Sequence, residues 1–416
     1  MKTAKTVLLL GFCLGFSLFG GTSLAHGFGK TWAGMELERL IAASGLRVGP
    51  FHVKTVFSLS NAGYDSNVYR TPDHQLEDYS VMIGPAWTVY LPIRKKVVFT
   101  LIESPRYVYF AKTARERTWN NFLTGRFQLA LSRVLVTAEA GYAVAREIWN
   151  TEIDVRPQRK AGSVLASILW QPSGVTSLMF EAREFQYRYE DLAFNEAMLS
   201  QTLNHRERAF DAALIYQISS QVRARIQAGY ASYIFDSPDS PRDSESRSVF
   251  GNIDFGGAGI LGGRVRLGLK YFKPMNPGSS GYKGLMGDSA VGLKLGKNIK
   301  LRASYTNDVQ FSMWAGYVYF IEYRFGGGVS VYVSPNLRFD YDYSSGRNAY
   351  SSASQGSGYS SDNRDDRLQD HTIGLYYRIK ERAGLGIILT RWERHSTVSW
   401  ISGRRTFVGA NLIYDF

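Results

Sequence analysis

Val329-Ser330-Val331-Tyr332-Val333-Ser334-Pro335-Asn336-Leu337-Arg338-Phe339-Asp340-Tyr341-Asp342-Tyr343 alternates residue by residue. Val329, Val331, Val333, Pro335, Leu337, Phe339, Tyr341 and Tyr343 share one face of an extended chain. Ser330, Tyr332, Ser334, Asn336, Arg338, Asp340 and Asp342 share the other. Read as a single strand, the stretch outruns the roughly five or six residues usual in soluble sheets. It matches a tilted strand of about 9–11 residues that crosses a bilayer and continues past it.

The pattern recurs. Val222, Ala224, Ile226, Ala228 and Tyr230 alternate with Arg223, Arg225, Gln227 and Gly229. Val265, Leu267, Leu269 and Tyr271 alternate with Arg264, Arg266, Gly268 and Lys270, and Ile299, Leu301, Ala303 and Tyr305 with Lys300, Arg302, Ser304 and Thr306. One such segment is weak evidence, whereas many in series specify a membrane barrel. Connections alternate in length as well. Eight short ones, among them Pro92–Lys95, Leu131–Arg133, Phe325–Gly328 and Lys380–Gly384, separate nine longer, more polar ones, among them Asp65–Glu77, Asn150–Asp154, Glu190–Gln201 and Ser344–Asp366. Short turns on one side and long loops on the other are the habit of outer-membrane barrels. The expected fold is all-β, a transmembrane antiparallel up-and-down β-barrel of about 16–18 strands, over residues 50–416. A change of face near Arg183-Glu184 suggests a bulge or a miscount there. The Ser344–Asp366 stretch either folds inward as a constriction or stays outside as a mobile loop; polar loops favour the second.

The ends agree. Lys2 and Lys5 precede an apolar run from Val7 to about Phe19, and Ser23-Leu24-Ala25 supplies small residues for cleavage. Residues 1–25 read as a signal peptide and 26–49 as a periplasmic lead-in, with Leu37, Leu40 and Ile41 spaced for a short amphipathic helix. At the other end Thr406, Val408, Ala410, Leu412, Tyr414 and Phe416 alternate, and the Leu412, Tyr414, Phe416 pattern has the form of a signal to the barrel-assembly machinery. The one cysteine, Cys13, lies in the leader, so the rest of the chain has no thiol for a disulfide, a zinc site or a nucleophile. Twenty-six Tyr and 24 Phe suit aromatic girdles at two lipid–water boundaries.

Function is less legible. The net charge of +13, two units lower once Lys2 and Lys5 leave with the leader, favours anionic partners in general: lipopolysaccharide phosphates, acidic polymers or nucleic acid. A secretory signal argues against nucleic acid. Arg223, Arg225, Arg264, Arg266, Lys300, Arg302, Arg324 and Arg378 fall on the predicted lumen face near the short-turn ends of their strands. They form either a basic periplasmic mouth for an anionic solute or polysaccharide, or a solvated wall neutralised by neighbours such as Asp254, Asp288 and Glu322. His26, His52, His74, His205, His371 and His395 have no spacing that predicts a nucleophilic or metal site. No catalytic residue, metal or cofactor is assigned.

Asn61-Ala62-Gly63-Tyr64-Asp65-Ser66-Asn67-Val68-Tyr69-Arg70, followed by Asp78-Tyr79-Ser80 and Gly84-Pro85, resembles the β-barrel porins associated with exopolysaccharide operons (type 2). The motif spans about 25 residues, and the general layout is similar over most of the chain. The resemblance implies an outer-membrane, porin-like protein that aids polysaccharide export. A structural or glycan-binding barrel with a plugged lumen is the alternative, and an outer-membrane hydrolase a third. Asp65 and Asn67 suit a turn closed by side-chain-to-backbone hydrogen bonds.

Overall fold

The computed structural model describes residues 44–416, apart from 94–95, 153–154, 195–196, 239, 257–258, 315, 353–363 and 399–400. The predicted leader and the 32–41 helix lie outside the described residues. Eighteen antiparallel strands form one wall. They are β1 (Phe51–Asp65), β2 (Asp78–Ile93), β3 (Val97–Glu103, continued by Arg106–Phe110), β4 (Thr118–Ala130), β5 (Val134–Arg146), β6 (Gln158–Trp170), β7 (Thr176–Tyr189), β8 (His205–Gln217) and β9 (Val222–Phe235). There follow β10 (Ser244–Phe255), β11 (Leu261–Pro274), β12 (Tyr282–Leu295), β13 (Ile299–Phe311), β14 (Tyr317–Tyr332), β15 (Leu337–Ser352), β16 (Asp365–Lys380), β17 (Ala383–Ser396) and β18 (Gly403–Asp415). Each pairs with its neighbours in sequence, and β1 pairs with β18, so the sheet has no open edge along its length. A three-residue strand, Leu46–Val48, doubles back on the start of β1. Pro105 interrupts β3 because it has no N–H for the ladder.

The two faces separate as the alternation requires. Phe210, Val249, Leu269, Leu285 and Ile387 point outward and are more than half exposed. Tyr79, Trp119 and Tyr142 stand on the outer face near the long-loop ends of their strands, and Trp170, Tyr216, Tyr377 and Tyr414 near the short-turn ends. Apolar surface on this scale, ringed by aromatics at both ends, suits hydrocarbon between two interfaces.

Four sequence expectations are corrected. Residues 329–343 are two strands: Ser334 Oγ accepts the Asn336 and Leu337 N–H groups (3.3 and 3.1 Å), and Pro335 cannot extend the ladder. The turn has four residues and preserves parity, with Val331 opposite Phe339, so the alternation reads straight through it. Gly326–Gly328 is no turn but extended backbone inside β14, which lengthens that strand and places Arg324 near mid-height. The long Ser344–Asp366 connection is shorter than expected, since β15 runs on to Ser352 and β16 begins at Asp365. Residues 353–363 lie outside the described residues. Nor is there a bulge at Arg183-Glu184, where β7 pairs without a register shift. Glu184 faces outward there, beside Arg206 and Arg208.

The bulge that matters sits at Asn61. Its φ is 52°, and β1 carries one extra residue there against both β2 and β18. The bulge reverses the parity of the strand. Phe57 pairs with outward Tyr414, yet Asp65 pairs with buried Phe407 and faces the lumen. Asp65 there accepts three hydrogen bonds from Arg405 of β18 (2.7, 2.9 and 3.0 Å). It also accepts the Asn67 N–H at 3.1 Å, while fully buried Asn67 donates to the Thr71 and Arg404 carbonyls. The Tyr64–Asn67 motif thus fastens the first strand to the last, the structural role expected of Asp65 and Asn67. Gly63 is needed at this seam, because a Cβ would stand 2.0 Å from the Val408 carbonyl oxygen.

Candidate functional site

The lumen wall carries most of the charged residues singled out from sequence, and most face a carboxylate. Arg264 bonds Asp254 at 2.8 Å, and Arg225 approaches the same group at 3.8 Å. Arg223 is in register with Asp254 on the neighbouring strand. Arg266 bonds Asp288 at 2.8 Å, and Lys270 bonds Asp308 at 2.7 Å. Arg324 sits between Glu322 (2.7 Å) and Asp370 (3.4 Å). Arg302 of β13 reaches Asp342 of β15 at 2.7 Å, across the intervening β14. Glycine at 328 leaves room for that reach; a Cβ there would lie 2.1 Å from Asp342 Oδ1 and push the carboxylate aside.

Asp254, Asp288 and Glu322 were legible in the sequence as neutralising groups. Asp342 and Asp370 were not, because they belong to strands whose register the sequence does not give.

Positive charge is least compensated at the short-turn end. Lys300 stands in register opposite Lys294, so the two ammonium groups share one stretch of wall. Arg378 is exposed near the end of β16 and makes no ion pair among the described residues. The wall thus carries fixed charges of both signs, with a local excess of positive charge at its short-turn rim.

The opposite, long-loop end is bridged. The connection 147–157 joins β5 to β6, yet it reaches the other side of the mouth. Arg394 of β17 donates to the Thr151 carbonyl at 2.6 Å, and Asn348 of β15 to Thr151 Oγ1 at 3.0 Å. Glu152, fully buried, accepts the Ser312 hydroxyl at 2.5 Å and the Met313 N–H at 2.6 Å, both from the β13–β14 connection. Arg364 approaches Glu152 at 3.7 Å and is itself held by Asp366 at 2.6 Å. In an eighteen-strand ring these partners stand about half the circumference from β5–β6. Burial, the largest influence, pushes the Glu152 carboxyl above its ordinary range, while Arg364 and the two hydrogen bonds oppose that shift.

A second tier fills the same mouth. Leu199 and Leu203, on the short helix α1 (Leu199–Leu203), pack with Met313, Trp149, Val155 and Phe194. Arg242 spans to the Ser312 and Trp314 carbonyls (2.9 and 2.8 Å). The sequence marks 150–154 and 190–201 as loops, without the inward fold that the structure shows. The Trp149, Leu192, Phe194 and Leu199 cluster was the available signal, because apolar side chains in polar loops seek a partner. Buried His205, at the mouth-side end of β8, stacks on Phe235 and bonds the Leu203 carbonyl at 2.6 Å.

No family model and no curated protein matches the sequence. Among solved structures, the chain is similar to the outer-membrane protein OccK3 (OpdO) of Pseudomonas aeruginosa, at 12% identity and a TM-score of 0.48, covering 91% of this chain and 97% of that one. It is similar to OccAB4 of Acinetobacter baumannii at 10% identity and a TM-score of 0.48, covering 88% and 98%. It is also similar to the siderophore receptor PirA of P. aeruginosa at 9% identity and a TM-score of 0.45, covering 88% and 80%.

Proposed function

We propose that this chain is an outer-membrane channel for small hydrophilic solutes with a mild preference for anions, its outer mouth narrowed by the connection 147–157. Membrane placement is supported by the closed ladder and the apolar exterior, since hydrocarbon tolerates no open sheet edge. An eighteen-strand wall is wide enough for an aqueous path. The observation that carries the reading is the bridge from Thr151 and Glu152 to Arg394, Asn348 and Ser312. It crosses the mouth from the β5–β6 connection to residues of β13–β18 about half the ring away. A polysaccharide chain would have to displace that bridge, so free small solutes are favoured over polymer export. The reading assigns the chain no catalysis. A barrel that conducts nothing, and acts through its outer loops, is the second reading, supported by the apolar cluster around Leu199 and Leu203.

Single-channel recording of the refolded protein in planar bilayers decides between them. Small, steady conductance supports the channel; stable insertion without conductance supports the second reading. The reversal potential in a salt gradient reads selectivity. Replacing both Lys300 and Arg378 by Glu is expected to move it toward cations, because it reverses the charge at the basic rim. A wild-type channel that already prefers cations would overturn the anionic assignment.

A further inference from the structure

Outward-facing alanines form an unusual patch on the barrel wall. Ala166 of β6 is in register with Ala182 of β7, and Ala212 of β8 with Ala228 of β9. Phe180 and Phe210 rise beside them, more than half exposed. The small side chains leave a groove of about 1010 Å³ lined almost wholly by apolar surface. Arg247 and Lys283 lie at its rim, toward the long-loop ends of β10 and β12.

The rim is strongly basic. Lys160, Arg206, Arg208, Arg247, Lys273 and Lys283 are all exposed on outward positions within three residues of the long-loop ends of β6, β8, β10, β11 and β12. Glu184 engages Arg206 (3.4 Å) and Arg208 (2.7 Å). Glu245 stands in register with Lys273. Arg247 and Lys283 make no ion pair among the described residues. A cation on the outer face of a barrel is costly at mid-bilayer and nearly free of cost at the interface. This cluster therefore sits at head-group height, directly above an apolar groove.

We infer that the outward face of β6–β12 is a binding site for a phosphorylated, multiply acylated lipid of the outer leaflet. Its acyl chains lie in the alanine-floored groove, and its phosphates meet Arg247 and Lys283. Charge complementarity selects the head group, since two unpaired cations at one rim match a phosphorylated lipid better than a zwitterionic one. The groove selects the tails, because bulky outward residues in place of the alanines would leave no hollow. The site rests on the proposed membrane placement but not on conduction.

The test uses the full chain refolded in detergent, with bound lipid counted by native mass spectrometry. Bisphosphorylated lipid A, its phosphate-free counterpart and dioleoyl phosphatidylcholine are titrated in parallel. Wild type is expected to retain the bisphosphorylated lipid and to lose about tenfold or more in affinity for the other two. The double variant Arg247→Ala, Lys283→Ala is expected to show a similar loss, and so is the groove-filling variant Ala182→Phe, Ala212→Phe. An unchanged heat-modifiable gel shift certifies that both variants fold. Equal binding of all three lipids, or unchanged binding in both variants, would overturn the site. So would full displacement by millimolar inorganic phosphate, which would reveal an anion patch without an acyl groove. Lipid retention by a barrel that conducts nothing would sink the channel reading and leave this site standing.

Discussion

Arg405→Ala is expected to lower the stability of the folded barrel by about 3 kcal/mol, toward the low end of the range for removing one partner of a buried ion pair. The reason is positional. Asp65 is almost wholly buried, and three of its hydrogen bonds come from the Arg405 guanidinium, which is itself only one-quarter exposed. Deleting the cation strands a carboxylate at the joint between the first and last strands, the one place where closure depends on residues 340 positions apart. Asp65→Ala should cost less, because a freed guanidinium can reach water and a buried carboxylate cannot. Arg405→Lys should recover only part of the loss, since an ammonium cannot donate the paired bonds. The urea midpoint of refolded protein, with the heat-modifiable gel shift as a second readout, measures all three. Equal midpoints for wild type and Arg405→Ala would show that the seam is held by backbone pairing alone.

Glu152→Lys is expected to raise single-channel conductance several-fold. It removes the acceptor for Ser312 and Met313 and places a cation beside Arg364. The bridge would lose its attachment to the β13–β14 connection while the barrel wall stays intact. Glu152→Gln is the control. It keeps an acceptor for the Met313 N–H, so the mouth should remain narrow.

The pair also differs in pH response. A carboxyl held above its unfolded value favours the protonated form when the loop is docked. Docking is therefore most stable below the usual glutamate range, about pH 4.3, and weakens as pH rises through the raised value. Wild-type conductance should accordingly grow as pH rises through that window, and the Gln variant should lose this slope. A conductance indifferent to both substitutions would place the constriction elsewhere in the lumen.

The seam and the bridge differ in how far the sequence announces them. At the seam, Asp65 and Asn67 were recognisable as turn residues, since an Asx side chain closes a turn within two or four positions. That Asp65 turns inward depends on the extra residue at Asn61, and the small and polar side chains of Ser58, Ser60, Asn61, Ala62 and Gly63 hide the change of phase there. At the bridge, Thr151 and Glu152 look like ordinary polar loop residues. Residues 329–343 show the opposite failure: a parity-preserving turn is invisible to periodicity, so two strands read as one.

What the sequence by itself determined is the barrel: the two-residue period, a strand number of about 16–18 and the sorting of apolar from charged faces follow from patterns local to each segment. What only the tertiary structure decided is which charges meet and which loops bridge the mouth. Arg302 with Asp342 and Glu152 with Ser312 join residues 40 and 160 positions apart. Such contacts follow from register, bulges and the inward fold of loops. Those arise when the sheet closes on itself, and no single segment encodes them.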